Sequence, residues 1–219
     1  MKFNAYYSKV LPLVSSLILF RPIMIITADM IHQQFNLDPK ERDLVFQDRV
    51  PIQFGLEDDI DSFVKKYSPV EIHMSVTHFF ESTYHLVFID LDASPSMGIA
   101  TVFDYACGLR DFVMGISPTK DIRMVYSGNR GFHLHVNLSQ RLFPEEVKQF
   151  LEKVSSYPKP FIGKIDSAVN AINHFIRVPY SYNCKGGKFS FYVDKLKDFN
   201  EDLAVEWSSR LYYGAIKGD

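Results

Sequence analysis

Asp90 and Asp92 end the apolar run LVFIDLD at residues 86–92. Two residues apart on a strand, their carboxylates project from one face. Held that close, they repel and raise each other's pKa unless a cation lies between them. Hard oxygen ligands at this spacing suit Mg²⁺ or Mn²⁺. The same pair also reads as a strand running out into the polar turn Asp-Ala-Ser-Pro, and two aspartates alone do not choose between the readings.

A second group is SGNRGFH, residues 127–133. Its glycines let a backbone approach a ligand, and Arg130 offers phosphate oxygens a fork of donors. His133 and His135 face the same way along a strand. The plainer reading is a hairpin with an exposed arginine. Zinc on the two histidines lacks a third soft ligand nearby. The chain has no GxxxxGK[ST] run, which excludes a Walker A loop. A third group spans residues 164–194: Asp166, Asn173-His174, Arg177, Ser181, and the Lys185-Gly186-Gly187-Lys188 turn. A further acid, basic positions and a Gly-rich turn are what a site for a metal-bound triphosphate needs. A helix, a loop and a hairpin with solvated lysines fit the same residues.

The elements that must position these groups follow from periodicity. Residues 84–92 read as a strand, and residues 99–116 as a helix with Val102, Phe103, Ala106, Leu109 and Val113 inward. Residues 122–127 and 132–138 read as strands joined by Gly128-Asn129-Arg130-Gly131, a tight hairpin in which both glycines accept positive φ. Residues 144–155 read as a helix with an acidic first turn. Residues 167–175 read as helical, and 189–193 as a strand. Upstream, residues 5–35 read as helix interrupted at prolines. Residues 43–54 and 70–78 alternate as strands do, and 57–67 form a short amphipathic helix with Ile60, Phe63 and Val64 on one face. Interleaved strands and helices with at least one hairpin predict an α+β fold with a mainly antiparallel sheet.

The 219 residues are 47% hydrophobic and 15% aromatic, enough apolar surface for one core. A net charge of −2 makes the chain neither disordered nor broadly basic, and gives bulk electrostatics no part in gripping long duplexes. Cys107 and Cys184 are far apart with no CxxC, so no zinc is expected, and a disulfide between them is left open. Cys107 lies beside an apolar helix stripe and reads as core. Phe79, Phe80 and Met124 also read as core, and Glu41, Arg42 and Asp43 as a solvated cluster. Trp207, with Leu211, Tyr212 and Tyr213, reads as packing or a partner surface. The apolar stretch 10–31 is broken by Pro12, Arg21, Pro22 and Asp29, which argues against a membrane span. Lys2 and Lys9 precede it, but no small-residue cleavage site follows. An intracellular protein is expected, cytoplasmic or, in a eukaryote, nuclear.

Taken in order, the three groups resemble the small catalytic subunit of archaeal and eukaryotic DNA primases. LVFIDLD is similar to that family's apolar-run-DxD motif, and VYSGNRGFHLHV to its SGxxGxH motif, with Ser127 and His133 at the defining positions. KIDSAVNAINHFIRVPYSYNCKGGKFSFYVD resembles its third block. ERDLVFQDRVPIQF and YYSKVLP resemble its early segments. The resemblance implies one primase catalytic core over 1–219: an N-terminal αβ unit over about 1–80, and an RRM-like antiparallel sheet unit over about 81–219. It implies that Asp90, Asp92 and Asp166 hold two Mg²⁺ or Mn²⁺ ions. Ser127, Asn129, Arg130, His133, Arg177, Ser181 and Lys185 would bind the nucleoside triphosphate. The implied reaction is template-directed nucleotidyl transfer that makes short primers on single-stranded DNA. The implied partner is a primase large subunit or fused equivalent, with no membrane.

The sequence departs from the family where Asn129 replaces a basic residue, Asn183 a histidine and Gln53 an arginine. Cys184 and Gly186 replace the Pro and Thr of the third block's turn. These changes bear on nucleotide affinity and leave the carboxylates intact. A zinc knuckle common between the first two motifs is missing, with only Cys107 there. The alternative is a non-catalytic primase-like subunit that binds template or a partner; retention of all three carboxylates argues against it. A metal-dependent phosphoesterase leaves the Gly-rich hairpin, Arg177 and Lys185 unexplained.

Overall fold

A strand that alternates between core and site is the centre of this fold. In β4 (Tyr84–Asp92), Val87, Ile89 and Leu91 are sealed, while Asp90 is half-buried and Asp92 exposed. The computed structural model describes residues 2–18, 21–27, 52–53, 59–76, 83–94, 96–158, 164–170 and 174–217. The expected charge cluster Glu41, Arg42 and Asp43, the core positions Phe79 and Phe80, Asn173, and residues 28–35 and 43–51 lie outside them.

The chain begins with α1 (Phe3–Val10), a 3-10 turn over Leu11–Val14 and a short α2 (Ser15–Ile18). It continues through β1 (Pro22–Thr27), β2 (Ile52–Gln53), α3 (Ile60–Tyr67) and β3 (Pro69–Ser75). After β4 come α4 (Ile99–Met114), β5 (Thr119–Tyr126), β6 (Gly131–Leu142) and α5 (Pro144–Ser155). β7 (Lys164–Asp166) follows, then a 3-10 turn over Ser167–Asn170 and β8 (Phe175–Arg177). β9 (Tyr182–Asn183), β10 (Lys188–Phe189), β11 (Phe191–Tyr192) and α6 (Glu201–Lys217) close the chain.

The fold is α+β, and every described strand pair is antiparallel. The larger sheet has the order β11-β5-β6-β4-β7. Its β4-α4-β5-β6-α5-β7 segment is the split βαββαβ arrangement, which is the RRM-like sheet expected. The other sheets are β2-β1-β3-β8 and β10-β9. β8 joins β3, so the four-stranded sheet takes a strand from the chain beyond the RRM-like segment.

α4 and α5 cover one face of the five-stranded sheet. The five inward positions expected on α4 are all buried. Phe103 meets Phe132 at 5.6 Å between ring centroids, and Phe199 closes the cluster against Phe103, Phe132 and Tyr126. Local chemistry sets the helix starts. The Asp59 carboxylate accepts from Ser62 N at 2.9 Å to cap α3. Glu146 reaches back to Phe143 N at 2.8 Å over Pro144 to cap α5.

Two expectations are corrected. The helix expected over residues 5–35 ends by Ile18, and residues 22–27 form a strand paired with β3. An unbroken apolar run carries no period, so a buried strand and a buried helix look alike in it. Of residues 167–175, expected as helix, the described ones form a 3-10 turn over Ser167–Asn170 and, at Phe175, the start of β8. Cys107 and Cys184 are both free thiols. No described helix is long and apolar enough to cross a membrane.

Candidate active site

The register of β4 gathers the three acids predicted from sequence. Asp90 pairs directly with Asp166 of β7 on one side and with His133 of β6 on the other. Directly opposed residues share a face with Cβ atoms about 4.5–5.5 Å apart. Asp92, two residues on, shares that face. Facing Asp92 across the ladder is Gly131, where a Cβ would overlap the Leu91 carbonyl oxygen and lie 3.1 Å from Asp92 Oδ1. That glycine is therefore required by close approach and leaves the Asp92 carboxylate its space. Its partner in the turn, Gly128, is the one that needs positive φ, at 81°. Asn170 holds the other end of this edge: its side-chain amide accepts from Phe88 N at 2.8 Å and donates to Phe88 O at 2.6 Å.

His133 is buried, and its Nε2 lies 3.5 Å from Asp90 Oδ1. Burial, then the charges of Arg177 and His73, lower its pKa to about 3, so the ring is neutral at ordinary pH. Its Nδ1 is buried without a hydrogen-bond partner among the described residues.

Arg177 comes to this place from the four-stranded sheet. It pairs with His73 across β3–β8, and its Nη1 donates to Ser127 O at 3.1 Å. Its Nη2 donates to Glu71, whose Oε1 also bonds His73 Nε2 at 2.6 Å. Glu71 is 3% exposed. Burial raises its pKa, but His73, Arg177 and the Cys184 amide outweigh that and hold the carboxyl well below the usual range. Glu71 and His73 are absent from the residues predicted above. The available signal was a carboxylate and an imidazole inside the otherwise apolar strand PVEIHMS.

The two Gly-rich turns interlock. A Cβ on Gly128 would lie 2.7 Å from Lys188 O and 2.8 Å from Asn183 Cβ; one on Gly186 would lie 2.7 Å from Asn129 Cα. Asn183 donates to Ser127 O at 3.0 Å and accepts from the amides of Lys185 and Gly186, both at 3.0 Å. Asn183 thus joins the turns. Ser127 is buried and accepts from Gly131 N at 3.2 Å. Arg130 and Lys185 are exposed on the same paired turns, and Asn129 is half-buried. Ser181 is turned inward: its hydroxyl, in a residue 1% exposed, accepts from Ile72 N at 2.7 Å and ties β3 to the chain after β8. Burial, then Glu71, pushes the Cys184 thiol up to about 12, which keeps it protonated.

The fold of the chain is similar to that of two solved domains. The polymerase domain of Mycobacterium tuberculosis Ligase D, in complex with DNA, matches with a TM-score of 0.63 and 14% identity over 99% of this chain and 91% of that one. The AEP domain of the cyanophage S-2L primase-polymerase matches with a TM-score of 0.52 and 8% identity over 91% of this chain and 96% of its own. The chain has the fold of these polymerase domains. No protein-family model and no curated protein sequence matches it. On this polymerase-type fold, the acidic row lies at the end of β4, between β6 and β7, with the interlocked turns beside it. No cluster of three or more His, Cys, Asp or Glu among the described residues has the geometry of a metal site. The fit to a divalent ion rests on the register: like charges directly opposite destabilise a sheet pair, and carboxylates are the donors that Mg²⁺ and Mn²⁺ favour.

Proposed function

We propose that this chain is a metal-dependent nucleotidyltransferase of the primase-polymerase type, which makes short primers on a single-stranded DNA template from nucleoside triphosphates. The observation that carries the reading is the pairing of Asp90 with Asp166, with Asp92 on the same face and His133 alongside. Those three carboxylates would hold Mg²⁺ or Mn²⁺, which supplies charge neutralisation on the triphosphate and activation of the primer hydroxyl.

The chain's own residues bind and orient. Arg177, fixed by Glu71 and Ser127 O, offers its guanidinium at the boundary of the two sheets. Arg130 and Lys185, exposed on the interlocked turns, would meet the outer phosphates as solvated cations. Neutral His133 donates from its ring without adding a charge. Asn129 and Ser127 set the turn backbone, whose amides can approach a phosphate closely. Ser181 acts through β3 and has no direct contact to offer. A slightly acidic chain needs help to hold template, so a large subunit or fused equivalent is the proposed partner.

The test is primer synthesis on single-stranded DNA with Mg²⁺ or Mn²⁺ and mixed nucleotides, run beside Asp90→Ala/Asp92→Ala. Short products that vanish in the double variant are expected. Should synthesis fail, extension of a pre-made primer separates a missing initiation partner from a binding-only role. Near-normal turnover in the double variant overturns the assignment of the carboxylates.

A further inference from the structure

Farther along the same face of the five-stranded sheet, a polar cavity lies apart from the acidic row. Its volume is about 260 Å³, and Arg21, His85, Arg123, His135, Asn137 and Tyr192 line it. Small-molecule clefts run from about 300 to 1,000 Å³, so this space suits a small polyatomic anion with water better than a whole nucleotide. Its floor continues β6. His135 follows His133 by two residues, with the rings stacked 6.4 Å apart.

Three groups converge on the cavity. His135 is 2% exposed, and its Nε2 is buried without a hydrogen-bond partner among the described residues. Arg21, also 2% exposed, donates through Nη1 to Ser75 O at 3.0 Å and Val76 O at 2.5 Å, which fixes its guanidinium plane. Arg123 bonds Asp194 Oδ2 through Nε at 2.7 Å and lies 4.2 Å over the Tyr192 ring. Burial, then the charges of His133, Arg21 and Arg123, hold His135 in its neutral form, which retains an N–H for an anion. Asp121 accepts from Asn137 Nδ2 at 2.6 Å and orients that amide.

We propose that this cavity binds a phosphate group, taken by Arg21, Arg123 and the Nε2–H of His135. Guanidinium forks match tetrahedral oxyanions, and such an anion would give the buried imidazole nitrogen the partner that buried polar atoms ordinarily have. The phosphate comes either as the free anion or as the terminal 5′ phosphate of a DNA strand. The site stands independently of the nucleotidyl-transfer reading.

Calorimetric titration of the full chain tests it, first with inorganic phosphate, then with one oligonucleotide in 5′-phosphorylated and 5′-hydroxyl forms. Saturable phosphate binding is expected. Arg123→Gln and His135→Phe should each weaken it at least about tenfold, the order for losing one charge-assisted hydrogen bond. Asp90→Ala/Asp92→Ala should leave it unchanged. A preference for the 5′-phosphorylated strand that Arg123→Gln removes assigns the cavity to a strand end. Equal binding of both strands assigns it to free phosphate. Circular dichroism checks each variant, and if His135→Phe misfolds, Arg123→Gln carries the test, because that side chain is 52% exposed. No saturable phosphate binding by the wild type, or binding that Arg123→Gln leaves intact, overturns the proposal.

Discussion

The two faces of the five-stranded sheet use the same strands for opposite purposes. On the helix-covered face, Val87, Ile89, Leu91, Phe132, Leu134 and Val136 are at most 1% exposed and belong to one apolar core. One residue out of step, the other face carries Asp90, Asp92, Asp166, His133 and His135, with the four-stranded sheet's Arg177 reaching in beside it. A strand's period of two keeps the tasks apart: one face contributes stability, the other tolerates charge at a cost in stability. The fold can therefore hold several ionisable groups close together without opening its core.

Substitutions on each face should separate these contributions. The largest stability loss is expected from Phe103→Ala on the helix side, about 3–5 kcal/mol by urea unfolding, since it opens a cavity among Phe132 and Phe199. A loss under about 1 kcal/mol would mean that this face is not the main source of stability.

Acid should act through the polar side instead. His133 is held at about 3 against an ordinary 6.5, so the unfolded chain takes up its proton first as pH falls. Stability is full above about 6.5 and declines as pH drops toward 3, because the unfolded state binds more protons. Glu71, held below its ordinary 4.5, adds to the decline farther down. The urea midpoint should fall between pH 7 and pH 4, and His133→Asn should flatten that fall, with His135 keeping part of it. An unchanged slope in the variant would take His133 out of this linkage.

Glu71→Gln is next in size, at about 1–3 kcal/mol, because it leaves buried donors of Arg177 and His73 poorly matched. Nucleotide KM should rise more than kcat falls, as expected when a positioned guanidinium loses its anchor. Equal changes in both would assign Glu71 to the fold alone. The smallest stability effect is expected from Asp90→Asn, within about 1 kcal/mol of wild type in chelator. A loss above about 2 kcal/mol, the scale of a broken buried network, would give Asp90 a structural task and blur the contrast between the faces.

Much of this was legible in the chain, and the limits fall at identifiable residues. β4, α4, α5 and the β5–β6 hairpin follow from local pattern and caps: the short apolar run 86–89 closing on Asp-Leu-Asp and a polar turn, the 99–114 apolar stripe and Pro144 with Glu146 each specify their element without reference to the rest. The candidate acids were visible because charge is unusual at the end of a buried strand. β1 was not, since Pro22-Ile-Met-Ile-Ile-Thr27 becomes a strand through its pairing with β3. Glu71 was hidden for a related reason: an acid in a buried strand is tolerable only with partners, and His73, Arg177 and the Cys184 amide come from three separate segments. Asn170 likewise acquires its task only when both polar groups of Phe88 stand before it.

The sequence by itself thus determined β4, α4, α5 and the β5–β6 hairpin, the acids at the end of β4 and the glycines of the two turns, because short-range sterics and periodicity decide those locally. Tertiary structure alone decided that Asp166 faces Asp90, that Arg177 is held by Glu71 and that the turns lock together. Those arrangements depend on registers between distant segments, and registers are set by burial of whole faces, which no local stretch of chain encodes.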